Sequence, residues 1–119
     1  MPRMGKSYKA ITADTSRTLA ALRADIPDTM RGFSAMAQGA LKDGALDRKT
    51  KELIAMALSV AARCDPCIGY HAEALVKLGA TRAELEEMLG MAVYMGGGPS
   101  LMYAAAALDA FNEFSGAAP

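Results

Sequence analysis

Asp65-Pro66 is the feature that most constrains the fold of this chain. The residues on either side, Arg48–Ala62 and Cys67–Leu78, have the composition of helices, yet proline cannot sit inside a helix without breaking it. Proline suits a first helical turn, and the residue before it avoids the helical region. The reading is therefore one helix from about Arg48 to Ala62, a break at Arg63–Asp65, and a second helix to about Leu78, folded back as an antiparallel hairpin. Asp47 is placed as the cap of the first of these helices, and Asp65 as the cap of the second. Gly79 is placed just past the end of the second.

The rest of the chain reads the same way. No run alternates apolar and polar residues long enough to suggest a strand, while helical signals recur. A first helix is expected from about Asp14 to Arg23. A second opens at Pro27, carries Met30, Phe33, Met36, Ala37 and Leu41 on one stripe, and ends at Asp43-Gly44. Leu53, Ile54, Ala57, Leu58 and Ala61 are expected as the buried face of the third. Thr81-Arg82-Ala83-Glu84 is a capping box opening the fifth, whose apolar residues are Leu85, Met88, Leu89, Ala92 and Met95. Gly96-Gly97-Gly98 breaks it, and a last helix runs from Ser100 to about Phe114. With 119 residues, this makes one all-α domain of five to six helices. Residues 1–12 are expected as a flexible arm, 13–115 as the helical domain and 116–119 as a tail.

Composition narrows the setting. Apolar residues make up 52% and aromatics 6%, with no Trp, so the core is built from Ala, Leu, Met, Ile and Val, which mostly favour helices. No stretch approaches ~18 uncharged apolar residues, so no membrane span or membrane partner is expected. The first residues lack an apolar signal region, which points to a reducing cytoplasm. Residues 1–51 hold ten Lys/Arg against five Asp/Glu, a net +5, and residues 52–119 three against eight, a net −5. The basic residues are scattered and only Tyr8 and Phe33 accompany them, so no nucleic-acid surface is expected. Instead the two halves are expected to pack on each other, within or between subunits. The last helix is apolar around most of its circumference, and one of its faces is expected to meet another subunit.

Both cysteines and the only histidine fall within eight residues, Cys64-Asp65-Pro66-Cys67-Ile68-Gly69-Tyr70-His71. In a reducing compartment a C-x-x-C pair is a redox or metal site rather than a staple. With Asp65 as cap, Cys67 lies in the first turn, where unpaired N–H groups and the helix dipole favour a thiolate. Asp65 opposes this as a neighbouring anion. His71, one turn on, is placed to take the thiol proton, and Cys64, outside the helix, to close the disulfide. Glu52 lies twelve residues before Cys64, roughly 18 Å away along an unbroken helix, but the hairpin returns it to within a turn of His71. Its alternative is a solvated charge among Arg48, Lys49 and Lys51, and that of His71 a surface histidine. Zinc on Cys64, Cys67, His71 and Glu52 is the chemical rival, but structural zinc sites bring two ligand pairs and only one is present. No metal or cofactor is expected. Met88, Met91, Met95 and Met102 read as core or subunit contact, or as a soft pocket for an organic substrate.

Glu52, eleven residues, and then Cys64-Asp65-Pro66-Cys67-Ile68-Gly69-Tyr70-His71 resembles the alkylhydroperoxidase D pattern E-x(11)-C-x-x-C-x-x-x-H, a group within the carboxymuconolactone decarboxylase family. Leu53-Ile54-Ala55-Met56-Ala57, His71-Ala72-Glu73-Ala74-Leu75 and the Gly79–Leu85 turn look similar as well, and the likeness covers about residues 28–113. It implies an all-helical fold assembled as a homotrimer or homohexamer, and reduction of organic hydroperoxides with electrons from a thiol donor. By resemblance Cys67 attacks the peroxide, Cys64 resolves it, and Glu52 with His71 forms a proton relay. The family's decarboxylase branch lacks the cysteine pair. A redox-sensing module without turnover, and a lyase using His71 with spectator thiols, are the other functions weighed.

Overall fold

A computed structural model describes residues 5–117 as six helices: α1 (Tyr8–Asp25), α2 (Pro27–Leu41), α3 (Arg48–Ala62), α4 (Asp65–Lys77), α5 (Arg82–Gly96) and α6 (Gly98–Ser115). The all-α reading is correct, and no strand occurs among the described residues. None of these helices is long and apolar enough to cross a membrane. α4 is central, with α1, α3 and α6 packed around it, and α5 closes over α3 and α6. The core joins Met56 and Val60 of α3, Ile68, Ala72 and Leu75 of α4, Leu85 and Leu89 of α5, and Ala104, Ala107, Ala110 and Phe111 of α6.

Local signals set several boundaries. Asp47 Oδ1 accepts the Thr50 N–H at 2.8 Å and opens α3. The Thr81 and Glu84 side chains cap one another's backbone at the start of α5. α4 ends with Gly79 at φ +76°, where the Ala80 N–H reaches Leu75 O and the Gly79 N–H reaches Val76 O. This paired arrangement satisfies the last carbonyls and needs the left-handed conformation that glycine adopts freely. Gly97, at φ +73°, makes the turn from α5 to α6. Lys49 Nζ meets Glu84 Oε2 at 2.8 Å, one direct link between the basic and acidic halves.

The start of α1 differs from expectation. The helix begins at Tyr8, six residues before Asp14, so residues 8–12 of the expected arm are its opening turns. Residues 1–4 of that arm lie outside the described residues, as do residues 118–119 of the tail. Ser7 caps the helix through the Ala10 N–H, and the Glu113 carboxylate on α6 accepts from the Tyr8 N–H at 2.7 Å and from Ser7 Oγ at 2.8 Å. A carboxylate at a helix N-terminus is stabilising, and this one comes from the far end of the chain. Tyr8 itself is 2% exposed and belongs to the core.

The buried face of α3 also differs. Glu52, Met56, Ser59 and Val60 face inward, whereas Ile54 and Leu58 of the expected face are 45% and 65% exposed. The helix is rotated so that a carboxylate enters the interior and an apolar stripe is left outside. α2 touches only α1 and α3 and has no buried residue.

Candidate active site

The site is built on the α3–α4 turn. Arg63 takes the left-handed conformation, φ 56° and ψ 47°, the one non-glycine residue among those described with a positive φ. Its N–H bonds Val60 O and the Cys64 N–H bonds Ser59 O, both at 3.1 Å. This closes α3 as a glycine would, at a cost of about 1 kcal/mol for a residue with a Cβ. The result is a reversal so short that α4 begins two residues later.

The cap of α4 is Cys64, not Asp65. Asp65 is the first helical residue, Pro66 the second and Cys67 the third, and the Cys67 N–H points at Cys64 Sγ, 3.4 Å away. Proline at the second position loses nothing, because the first N–H groups of a helix have no partner within it. Cys64 and Cys67 are joined in a disulfide with their Cα atoms 5.3 Å apart. Both are partly exposed. Cys67 therefore lies in the first turn as expected, one position later, and the sulfur that receives a helix N–H belongs to Cys64.

Glu52 and His71 are brought into direct contact. Glu52 Oε2 lies 2.6 Å from His71 Nδ1, within the range of a charge-assisted hydrogen bond. The Glu52 side chain is 3% exposed and that of His71 29%, so the pair runs from the interior to the surface. Were the carboxylate ionised it would only accept, with the proton of this contact on Nδ1 and Nε2 as the ring's open lone pair. His71 stands one turn beyond Cys67 on the same helix, a spacing whose side chains share a face. The solvated reading of Glu52 is excluded by its burial, because Arg48, Lys49 and Lys51 are not its partners here.

A second polar group meets the disulfide turn from the other side. Tyr8 Oη donates to Asp65 Oδ1 at 3.3 Å, and Lys6 Nζ pairs with Asp65 Oδ2. Burial first, and then the Asp65 charge, push the Tyr8 phenol well above its usual 10. Sequence reasoning missed both residues, since Lys6 and Tyr8 sit in a polar segment without periodicity. A cavity of about 310 Å³ opens beside Asp65, with Tyr8, Met102 and Tyr103 among its walls. A larger open groove, about 510 Å³, follows α1 and α4 past Tyr70 and includes none of the four expected site residues. Among the described residues no group of three or more His, Cys, Asp or Glu side chains is arranged to hold a metal ion.

Fold and site together define an all-helical protein in which a C-x-x-C disulfide turn and a glutamate–histidine pair share one helical hairpin. The chain belongs to the carboxymuconolactone decarboxylase family, whose model matches residues 27–110. It is similar to a family member of known structure from Legionella pneumophila, with 66% identity, a TM-score of 0.90, and coverage of 91% of this chain and 96% of that one. It is also similar to a family member from Thermotoga maritima described as a candidate participant in an antioxidative response, with 29% identity, a TM-score of 0.76, and coverage of 86% and 87%. An uncharacterized protein of Cupriavidus necator is 38% identical over 112 residues, 94% of this chain and 99% of that protein.

Proposed function

We propose that this protein is a thiol-dependent peroxidase that reduces organic hydroperoxides with the Cys64–Cys67 pair, using Glu52 and His71 as a proton relay. The observation that carries the reading is the 2.6 Å contact from Glu52 of α3 to His71 of α4, the helix that opens with the C-x-x-C disulfide. In the reduced protein His71 Nε2 takes the Cys67 proton, and the thiolate attacks the terminal peroxide oxygen. The O–O bond breaks, the alkoxide leaves with the proton held on His71, and Cys67 becomes a sulfenic acid. The Cys64 thiolate displaces hydroxide from that sulfur, water forms with one further proton, and the disulfide closes. A dithiol donor then returns two electrons and two protons. Glu52, buried beneath the ring, stabilises the imidazolium each time it forms.

The test follows thiol loss after the reduced protein is mixed with cumene hydroperoxide. Two thiols should vanish per hydroperoxide, with one disulfide formed, far faster than with free cysteine. Oxidation no faster than that of free cysteine would overturn the reading.

We infer further that the protein works as a homotrimer or homohexamer. Phe33 and Met36 of α2, Leu58 of α3, Tyr94 and Met95 of α5 and Met102 of α6 are 62–78% exposed. These large apolar side chains, carried on four helices, are the ones we assign to contact between copies of the chain. Sedimentation equilibrium should return three or six times the 12.4 kDa chain mass, and a monomer mass at micromolar concentration would refute the inference.

A further inference from the structure

We propose that Tyr8 and Lys6 are positioning residues for the cysteine pair, holding the Asp65 carboxylate outward so that the first N–H groups of α4 are left to the sulfurs. Asp65 occupies the first position of α4, between the two cysteines. A carboxylate there has a ready destination in the unpaired N–H groups of the same turn, which donate readily to acidic side chains. In this structure both of its oxygens turn instead to the N-terminal segment, Oδ1 to Tyr8 Oη and Oδ2 to Lys6 Nζ. The Cys67 N–H is left pointing at Cys64 Sγ.

The clamp is built rigidly. The Tyr8 ring is buried, and its N–H is fixed on Glu113. Gly69 lets α1 lie close over α4: a Cβ on Gly69 would stand 2.6 Å from Thr12 Cγ2 and 3.6 Å from Tyr8 Cδ1. Other charged or titratable groups around the turn are Glu52 on α3, already bonded to His71 of α4; Arg63 in the connection; and Asp109 and Tyr103 on α6, which act on the Tyr8 phenol. Burial and the acidic neighbours keep that phenol protonated, so it remains a donor throughout the range in which thiols ionise. A carboxylate released from the clamp would compete for the helix N–H groups and stand closer to the sulfurs, and both effects disfavour a thiolate.

The proposal rests on the peroxidase reading for its purpose, but its test reads thiol ionisation without peroxide, so the two fail separately. The reduced protein is alkylated with iodoacetamide across pH 5–9, as wild type, Tyr8→Phe, Asp65→Asn and the double variant. Tyr8→Phe should move the rate profile to higher pH and slow alkylation at pH 7 by about three- to tenfold, while Asp65→Asn moves it to lower pH. In the Asp65→Asn background Tyr8→Phe should change nothing, because no carboxylate remains to be placed. Lys6→Gln, at an exposed residue, gives a second reading should Tyr8→Phe misfold: an upward shift at low salt that fades as salt is raised. An unmoved profile in Tyr8→Phe, or a shift of the same size with and without the Asp65 carboxylate, would overturn the proposal; with Tyr8→Phe misfolded, an unmoved Lys6→Gln profile would do so.

Discussion

Cys67→Ser is expected to abolish rapid consumption of cumene hydroperoxide, whereas Cys64→Ser should retain a single fast oxidation that stops at a sulfenic acid. A serine hydroxyl is not deprotonated at neutral pH by a neighbouring imidazole alone, and it cannot carry the oxygen that a sulfur accepts. The two variants are distinguished by counting peroxide consumed per chain and by the mass of one added oxygen on Cys67. The structure makes this comparison sharper than the motif does. His71, the proton acceptor in the proposed reaction, is one turn beyond Cys67, yet in the disulfide the Cys67 N–H points at the sulfur of Cys64. If proton removal controls the reaction, Cys67 attacks. If helix-end stabilisation controls it, the roles reverse, and Cys64→Ser is the dead variant.

Glu52→Gln is expected to lower the peroxide rate by about 100-fold while leaving the fold in place, at the lower end of what a positioned acid–base group contributes. Glutamine keeps the size of the side chain and can still hold His71 Nδ1–H through its carbonyl oxygen. What it lacks is the negative charge that favours an imidazolium at the moment of proton transfer. Because Glu52 is buried, solvent does not replace that charge. Stopped-flow thiol oxidation gives the rate, and an unchanged far-UV spectrum and melting temperature show that the loss is not unfolding. A rate within twofold of wild type would mean that Glu52 only shapes the interior of the α3–α4 hairpin.

That hairpin was legible because its causes are local. Pro66 forbids a continuous helix, Asp47 and Gly79 mark outer limits, and the spacing of Glu52 and His71 follows from the fold-back. Their direct contact is closer than the spacing alone required. The identity of the α4 cap was not legible: Asp is a far commoner cap than Cys, and the partners that Asp65 takes instead, Tyr8 and Lys6, lie more than fifty residues earlier. Likewise α1 begins at Tyr8, where Ser7 offers a local cap and the Glu113 carboxylate, far along the chain, accepts the Tyr8 N–H. On α3, hydrophobicity favoured the Ile54–Leu58 stripe as the inner face. The inner face instead carries Glu52 and Ser59, whose polar atoms are satisfied by His71 and by Ala55 O. The expected buried stripe is thus incorrect at Ile54 and Leu58, which are exposed on the chain.

The bonds between Glu113 and the start of α1 span 104 to 106 residues, whereas Glu52 and His71 are separated by only 19. Closing a longer loop costs more chain entropy before its contacts return anything. The Glu52–His71 pair is therefore expected to assemble with the local hairpin, and α1 to dock later in folding. By the same reasoning, hydrogen exchange of the native protein is expected to show the segment bearing Lys6 and Tyr8 opening more readily than the segment bearing the cysteines. A partly opened molecule would then keep its Glu52–His71 pair while losing control of Asp65.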